Sequence, residues 1–299
     1  MSAFKGFRDM RLQGAGAAIF ARVGGEGPPL LLLHGFPQTH FAWRHVAARL
    51  AKDFTLVCAD LRGYGASGAP PDDAAHTAYS KRVMAADMIA AMDQLGFRRF
   101  HVAGHDRGGR VAYRMALDAP EAVDRLAVLE IAPTAHYWRA FGPDMAMKAW
   151  HWTFLAQPAP LPERLISANP GFFIDSLHAA WARDGNLRPF EDGAFAAYHA
   201  ALTAPGRIAA YCADYRAGAT TDRAMDEADL AAGRRIAAPT LVIAGTRGFP
   251  AVATGGDPAK PWRDFCDDLR AVTVDCGHFP AEEAPDATAA ALRDFFRGA

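Results

Sequence analysis

Residues 100–110, Phe-His-Val-Ala-Gly-His-Asp-Arg-Gly-Gly-Arg, constrain this chain more than any other stretch. They read as the end of an apolar strand, a Gly-x-Asp-x-Gly turn, and a helix over about Arg107–Leu117. A strand that reverses so sharply into a helix brings two backbones too close for Cβ atoms, so glycine is needed on both sides of the central residue. Asp106 is thereby held at the tip of the turn, at the head of a helix. Two plainer roles exist for it: a helix N-cap, for which Asp is among the preferred residues, and an exposed i,i+4 ion pair with Arg110.

The chemistry of a carboxylate at such a tip differs from that of the serine more often found there. Serine attacks a carbonyl carbon after a base removes its proton, whereas a carboxylate is already ionised and can displace a leaving group from saturated carbon. The result would be an alkyl ester of Asp106, which water can cleave at the aspartyl carbonyl; serine attacking the same carbon would be left as a stable ether. A nucleophilic Asp106 therefore points to displacement at sp³ carbon followed by hydrolysis.

Around this stretch, short apolar runs alternate with amphipathic segments, the pattern of a mostly parallel central sheet flanked by helices in an α/β fold. Strands are expected near Ala17–Val23, Leu30–Leu33, Thr55–Ala59, Phe100–Ala103, Leu126–Ile131, Thr240–Ala244 and Ala271–Asp275. Helices are expected near Phe41–Ala51, Ser80–Leu95, Arg107–Leu117 and Asp286–Phe296. From Pro133 to Arg223 the strand pattern stops, and residues 157–162, Gln-Pro-Ala-Pro-Leu-Pro, cannot be a helix interior. This gives a core of residues 1–132 and 224–299 with an inserted helical cap of residues 133–223. At 299 residues and 51% hydrophobic, the chain is long enough for one large domain carrying such an insertion.

The formal net charge is −1, and no basic stripe or polybasic anchor argues for nucleic acid or a membrane. Met1–Gly16 is polar and glycine-broken, without the apolar core of a signal peptide, and no later stretch approaches ~20 apolar residues, so a cytoplasmic location is expected. Cys58, Cys212, Cys266 and Cys276 lack a Cys-x-x-Cys spacing and read as reduced thiols; no metal is expected. Cys276, two residues from His278, would suit a thiol nucleophile, but Asp106 already occupies the turn.

Ligands of such sheets bind beyond the carboxyl ends of the strands. After the Leu30–Leu33 run comes His34-Gly35-Phe36-Pro37, where the backbone N–H of Phe36 and that of Arg107 would form an oxyanion hole. A plain Gly-Pro turn is the alternative, and His34 reads as a structural hydrogen-bonder. Asp60–Gly65 reads as a scaffold loop with an internal ion pair. The last strand ends in Asp275-Cys276-Gly277-His278, and His278 suits the general base for the hydrolytic water. The acid that would orient it is missing from Gly245–Pro250. Glu130 is the choice, because an acid inside an apolar run is expensive to bury without a partner; Asp257 and Asp275 are the fallbacks.

Arg107 and Arg110 lie one helical turn apart, where they would favour the ionised Asp106 and grip a substrate carboxylate. In the cap, His151, Trp152 and Tyr215 could donate to a leaving halide, where charge accumulates in the transition state. Packing is the alternative for these rings, and spacing alone does not separate them from Trp138, Tyr137, Trp150 and Tyr211.

Four stretches carry a family resemblance over essentially the whole chain: His34-Gly-Phe-Pro-Gln-Thr-His40, Gly104-His-Asp-Arg-Gly-x-Arg110, His151-Trp-x-Phe-Leu-Ala-Gln-Pro-Ala-Pro-Leu-Pro162 and Asp214-Tyr-Arg-Ala-Gly218. The chain resembles the fluoroacetate dehalogenases of the α/β-hydrolase superfamily. The resemblance implies nucleophile Asp106, base His278, a carboxylate clamp of Arg107 and Arg110, and a halide pocket of His151, Trp152 and Tyr215. It also implies a cofactor-free homodimer that acts on small haloacids and inverts the attacked carbon. One departure stands out: the family's acid is typically Asp, and here it is Glu130. Two other readings remain. An epoxide hydrolase would share the nucleophile and base but commonly has an aromatic residue where Arg107 stands; a non-catalytic ligand-binding version of the fold would have nothing to turn over.

Overall fold

A computed structural model describes residues 4–250 and 254–298; Met1–Ala3, residues 251–253 and Ala299 lie outside the described residues. Strands β1 (Arg8–Gln13), β2 (Ala18–Gly25), β3 (Pro29–Leu33), β4 (Thr55–Ala59), β5 (Phe100–His105), β6 (Val123–Leu129), β7 (Thr240–Gly245) and β8 (Leu269–Val274) form one sheet. Its order is β1-β2-β4-β3-β5-β6-β7-β8. β2 pairs antiparallel with β1 and β4, and every pairing from β4 to β8 is parallel. β5 and β7 are buried along their whole length, so neither shows the polar–apolar alternation of a half-exposed strand.

The strand at Arg8–Gln13 was not expected, and the reason is its position. It is the sheet edge, only Leu12 is buried, and charged residues on an exposed edge hide the period-two signal. The other strands fall where expected to within a few residues. The sixth ends at Leu129, so Glu130 lies just past the strand instead of inside it.

Alternate residues of the central strands feed two cores. On one face Leu31, Leu33, Val57, Val102 and Val128 pack with Met84, Met88, Val111 and Met115. These last four come from α2 (Lys81–Gln94) and α3 (Arg107–Asp118). On the other face Leu30, Leu32, Leu56, Leu129 and Ile243 pack with Val46, Leu50, Leu292 and Phe295. α1 (Arg44–Leu50), preceded by a 3₁₀ turn at His40–Trp43, and the C-terminal helix Pro285–Phe296 supply that layer. α2 begins where Ser80 caps it by accepting the Val83 N–H.

Between β6 and β7 the chain is helical, from α4 (Thr134–Arg139) through α5 (Pro143–Lys148), α6 (Trp150–Leu155), α7 (Leu161–Ala168), α8 (Pro170–Trp181), α9 (Ala194–Thr203) and α10 (Arg207–Ala219) to α11 (Thr221–Ala231). The proline-dense run bridges α6 and α7. Residue 223 falls inside α11, whose Asp226 and Asp229 pair with Arg114 of α3, so helix continues beyond the end expected from the sequence. The four cysteines are all free and buried. Among the described residues no helix is long and apolar enough to cross a membrane.

Candidate active site

The β5–α3 turn is as tight as its glycines require. A Cβ on Gly104 would lie 2.3 Å from the Gly108 carbonyl oxygen, and one on Gly108 would lie 2.4 Å from that of His34. Asp106 itself adopts φ +46°, ψ −115°, a conformation that costs a non-glycine residue of order 1–3 kcal/mol and persists only where the surroundings enforce it. Its side chain makes no capping bond. It pairs with His278 instead of Arg110, so neither plainer role applies. Asp106 Oδ1 accepts the Phe36 N–H at 2.9 Å, while the Arg107 amide opens α3 beside it. Burial works against ionising this carboxyl, yet the His278, His105 and Arg107 charges and the Phe36 N–H hold its pKa below 3.8. Asp106 is ionised at neutral pH, with Oδ2 free of the backbone bond.

The His278 ring lies between two carboxylates. Nδ1 is 3.2 Å from Glu130 Oε2 and Nε2 is 3.8 Å from Asp106 Oδ2. Donation from Nδ1 to Glu130 leaves the Nε2 lone pair facing Asp106, as a base for water would need. Burial pulls the imidazole pKa down, but the Glu130 hydrogen bond and the Asp106 charge outweigh it, and the net shift is upward from 6.5. The loop that lacks an acid does supply the acid's cradle. Gly245 N–H donates to Glu130 Oε1 at 2.5 Å and Phe249 N–H to Oε2 at 3.1 Å. A Cβ at Gly248 would sit 2.1 Å from Oε1. Glu130 reaches this position from a left-handed backbone, φ +56°, and burial lifts its pKa above 4.5 against the pull of His278. The fallback acids are engaged elsewhere: Asp275 with Arg183 at 2.9 Å and Asp257 with Arg263 at 2.8 Å. The Cys276 thiol is held up by burial and donates to the Gly277 carbonyl at 3.3 Å.

The two arginines are buried, Arg107 at 0% and Arg110 at 2% exposure, and each retains a side-chain nitrogen without a protein partner, Nη1 of Arg107 and Nε of Arg110. Arg107 also stacks over Tyr215 at 4.3 Å and Trp152 at 5.1 Å, and Arg110 over Trp152 at 4.5 Å. Tyr215 stands edge-on to His151 and Trp152, with ring centroids 5.7 and 5.6 Å away, so the three cap residues singled out in the sequence meet. The His151 pKa is driven down to about 3 by burial, which makes it a neutral imidazole, and its Nδ1 has no partner. A cavity of about 760 Å³ opens onto Asp106, Arg110, Glu130, His151, Trp152 and His278.

Several residues that shape this site were given no role from the sequence. Trp181 of α8 flanks both His151 and His278, at 4.5 and 5.5 Å, and its carbonyl accepts the His278 N–H at 2.9 Å. His105, beside Asp106, bonds the His278 carbonyl at 2.6 Å and Gln38 at 3.0 Å. Asp214 holds Arg107 through both carboxylate oxygens. One expectation is corrected: Asp60 and Arg62 do not pair. Asp60 bonds His40 and the Ala66 N–H, whereas Arg62 makes a two-point ion pair with Asp87 of α2. His34 is structural, accepting the Leu61 N–H at 3.1 Å. Among the described residues no group of three or more His, Cys, Asp or Glu side chains could hold a metal ion.

Comparison with known proteins places the chain in a family. Residues 28–285 match the model of the alpha/beta hydrolase fold family. A fluoroacetate dehalogenase of a Burkholderia species is 42% identical over 99% of this chain and 96% of its own length. A soluble epoxide hydrolase of Corynebacterium sp. (strain C12) is 30% identical over 87% of each chain. The crystal structure of an alpha/beta hydrolase from Nostoc sp PCC 7120 superposes with a TM-score of 0.94 at 42% identity, covering 99% of this chain and 100% of that one. With a family model matched over residues 28–285 and this level of identity along the full chain, the protein belongs to the α/β-hydrolase family and, within it, to the fluoroacetate dehalogenases.

Proposed function

We propose that this protein hydrolyses short 2-haloacids, converting fluoroacetate or chloroacetate to glycolate through an ester on Asp106. The observation that carries the reading is an ionised carboxylate at the elbow beside two buried guanidiniums that each keep a free N–H. Asp106 Oδ2 attacks the carbon bearing the halogen from the side opposite the leaving group. The C–O bond forms as the carbon–halogen bond breaks, and the halide leaves toward His151, Trp152 and Tyr215. His278 Nε2 then takes a proton from water as its oxygen adds to the Asp106 carbonyl carbon. The charge gathers on Oδ1, against the Phe36 N–H and that of Arg107. Collapse expels the glycolate oxygen, which takes the proton from His278. Asp106 keeps the oxygen that came from water and releases the second proton.

The test follows that oxygen. A single turnover in ¹⁸O-water should label the Asp106 carboxylate, and Asp106→Ala should release no fluoride or chloride. Label found only in glycolate would exclude the ester route. The epoxide hydrolase reading has the relative from Corynebacterium in its favour, but a neutral epoxide would leave the buried Arg110 cation unanswered. Turnover of styrene oxide in preference to chloroacetate would reverse that judgement.

The same reading includes a cytoplasmic homodimer. Four buried free thiols suit a reducing compartment. On the cap, Met147, Trp150, Leu161, Leu165 and Phe172 are exposed between 42% and 79%, more apolar surface than a solitary cap would present to water. Sedimentation velocity should give twice the chain mass, and Phe172→Asp together with Leu165→Asp should return the monomer; a monomeric parent protein would refute the dimer.

A further inference from the structure

The sequence presents Arg107 and Arg110 as an equivalent pair. The structure does not. Arg107 spends its guanidinium on Asp214 of α10: Nε donates to Oδ2 at 2.9 Å, and Nη2 donates to Oδ1 at 2.6 Å and to the Asp214 carbonyl at 2.7 Å. Asp214 in turn accepts from the Tyr64 hydroxyl at 2.7 Å and from Lys81 Nζ, and Lys81 lies 3.3 Å from Asp222. Two cations and two carboxylates thus cancel within one buried cluster. Arg107 therefore has its charge neutralised, and its one nitrogen without a protein partner, Nη1, is buried beside Gly218.

Arg110 has no such partner. Nη1 donates to the Ala132 carbonyl at 3.1 Å and to Thr134 Oγ1 at 2.9 Å, both uncharged. Among the described residues no carboxylate forms an ion pair with it. It lies over the faces of Tyr137 and Trp152 at 5.4 and 4.5 Å and lines the cavity. Apart from the Asp106 carboxylate that shares the cavity, it meets only neutral dipoles and aromatic faces, a setting in which a buried cation gains from an anion joining it.

We infer that Arg110 alone selects for the anionic group of the substrate, and that Asp214 is a positioning residue which neutralises Arg107 and turns it into an oriented N–H donor. The inference rests on the haloacid reading given above and divides the labour inside it. Its consequences differ in sign between the two arginines. Removing Arg110 removes the charge that a bound carboxylate answers. Removing Arg107 and Asp214 together removes a neutral pair and one hydrogen bond. Removing the Asp214 charge alone uncovers Arg107 and should tighten anion binding.

Acetate, which carries the carboxylate but no leaving group, is the probe, with its affinity for the full-length protein read by ligand-observed NMR and the fold checked by thermal melting. Arg110→Gln should weaken acetate at least about a hundredfold, and Arg110→Lys, which keeps the charge, no more than about tenfold. The double variant Arg107→Gln with Asp214→Asn should weaken it less than about tenfold, and Asp214→Asn alone should strengthen it. The Asp214→Asn result is a dissociation constant, so a simple loss of folded protein would not produce it. Equal losses at the two arginines, or weaker binding in Asp214→Asn, would overturn the inference. If Arg110→Gln and the double variant both bound acetate like the parent, the carboxylate-clamp reading itself would fail, a result distinct from equal losses.

Discussion

Replacing His278 by Ala should stop the protein after one event: each active site releases one halide and then stalls as a carboxymethyl ester of Asp106. Displacement needs only the ionised carboxylate and the leaving-group donors, none of which His278 supplies. Ester hydrolysis needs a base on water, and Nε2 is the group facing Asp106, at 3.8 Å. A general base accounts for roughly 10²–10⁴ in rate, so steady-state turnover should fall by about that factor while the first halide appears at near the parent rate. Rapid-quench halide release and mass spectrometry of the intact chain read both halves. A variant that neither bursts nor accumulates ester would show that His278 acts before the carbon–halogen bond breaks. In the parent protein the same assignment fixes the pH profile. The base must be neutral; in the free protein Glu130 and the Asp106 charge raise its pKa, and esterification removes the Asp106 charge, so hydrolysis should be lost as pH falls, at a lower pH than that at which His278 of the free protein titrates. The burst itself should persist well below it, because Asp106 stays ionised.

Gly248→Ala should lower turnover by about a hundredfold, although residue 248 makes no contact with substrate in the proposed reaction. The added Cβ would overlap Glu130 Oε1 at 2.1 Å, so the carboxylate must leave the Gly245 and Phe249 amides or push His278 away. Misplacement of a catalytic group by an ångström costs on the order of 10² in rate. Glutamate reaches that cradle because it is longer than aspartate by one carbon–carbon bond, ~1.5 Å. In a Glu130→Asp background the space beside residue 248 is vacated, and Gly248→Ala should then cost less than about tenfold. The double-mutant cycle reads this coupling directly. Additive losses would mean that the glycine serves its own backbone and not the acid.

How much of this was legible in the residues depended on whether a function was local in sequence. The elbow was readable because glycine spacing, strand end and helix start all lie within eleven residues. That His278 comes to Asp106 followed from its place after the last strand, and that Glu130 needs a partner followed from the expense of an acid in an apolar run; the structure brings the three together. The Lys81–Asp214–Arg107 cluster was not: Arg107 and Asp214 each lay in a marked stretch, but that they pair, with Lys81 beside them, depends on how three helices pack. Trp181 and His105 act through backbone carbonyls and ring packing, for which residue type gives no warning. The edge strand Arg8–Gln13 escaped because half-solvated charged residues carry almost no periodicity. The cap aromatics were the intermediate case: the type of side chain was visible, but which of several rings would meet was a matter of helix packing.

The buried cysteines acquire a meaning from the proposed chemistry. Haloacids are alkylating reagents, and what they modify in most proteins is the thiolate, not the thiol. Here burial raises all four thiols, Cys266 to about 11 and Cys212 to about 12, with Cys58 and Cys276 higher still. None of them is exposed. If the proposed chemistry holds, the protein would meet an alkylating substrate with no exposed thiolate to compete with Asp106, a protection that lies in the way the core is packed.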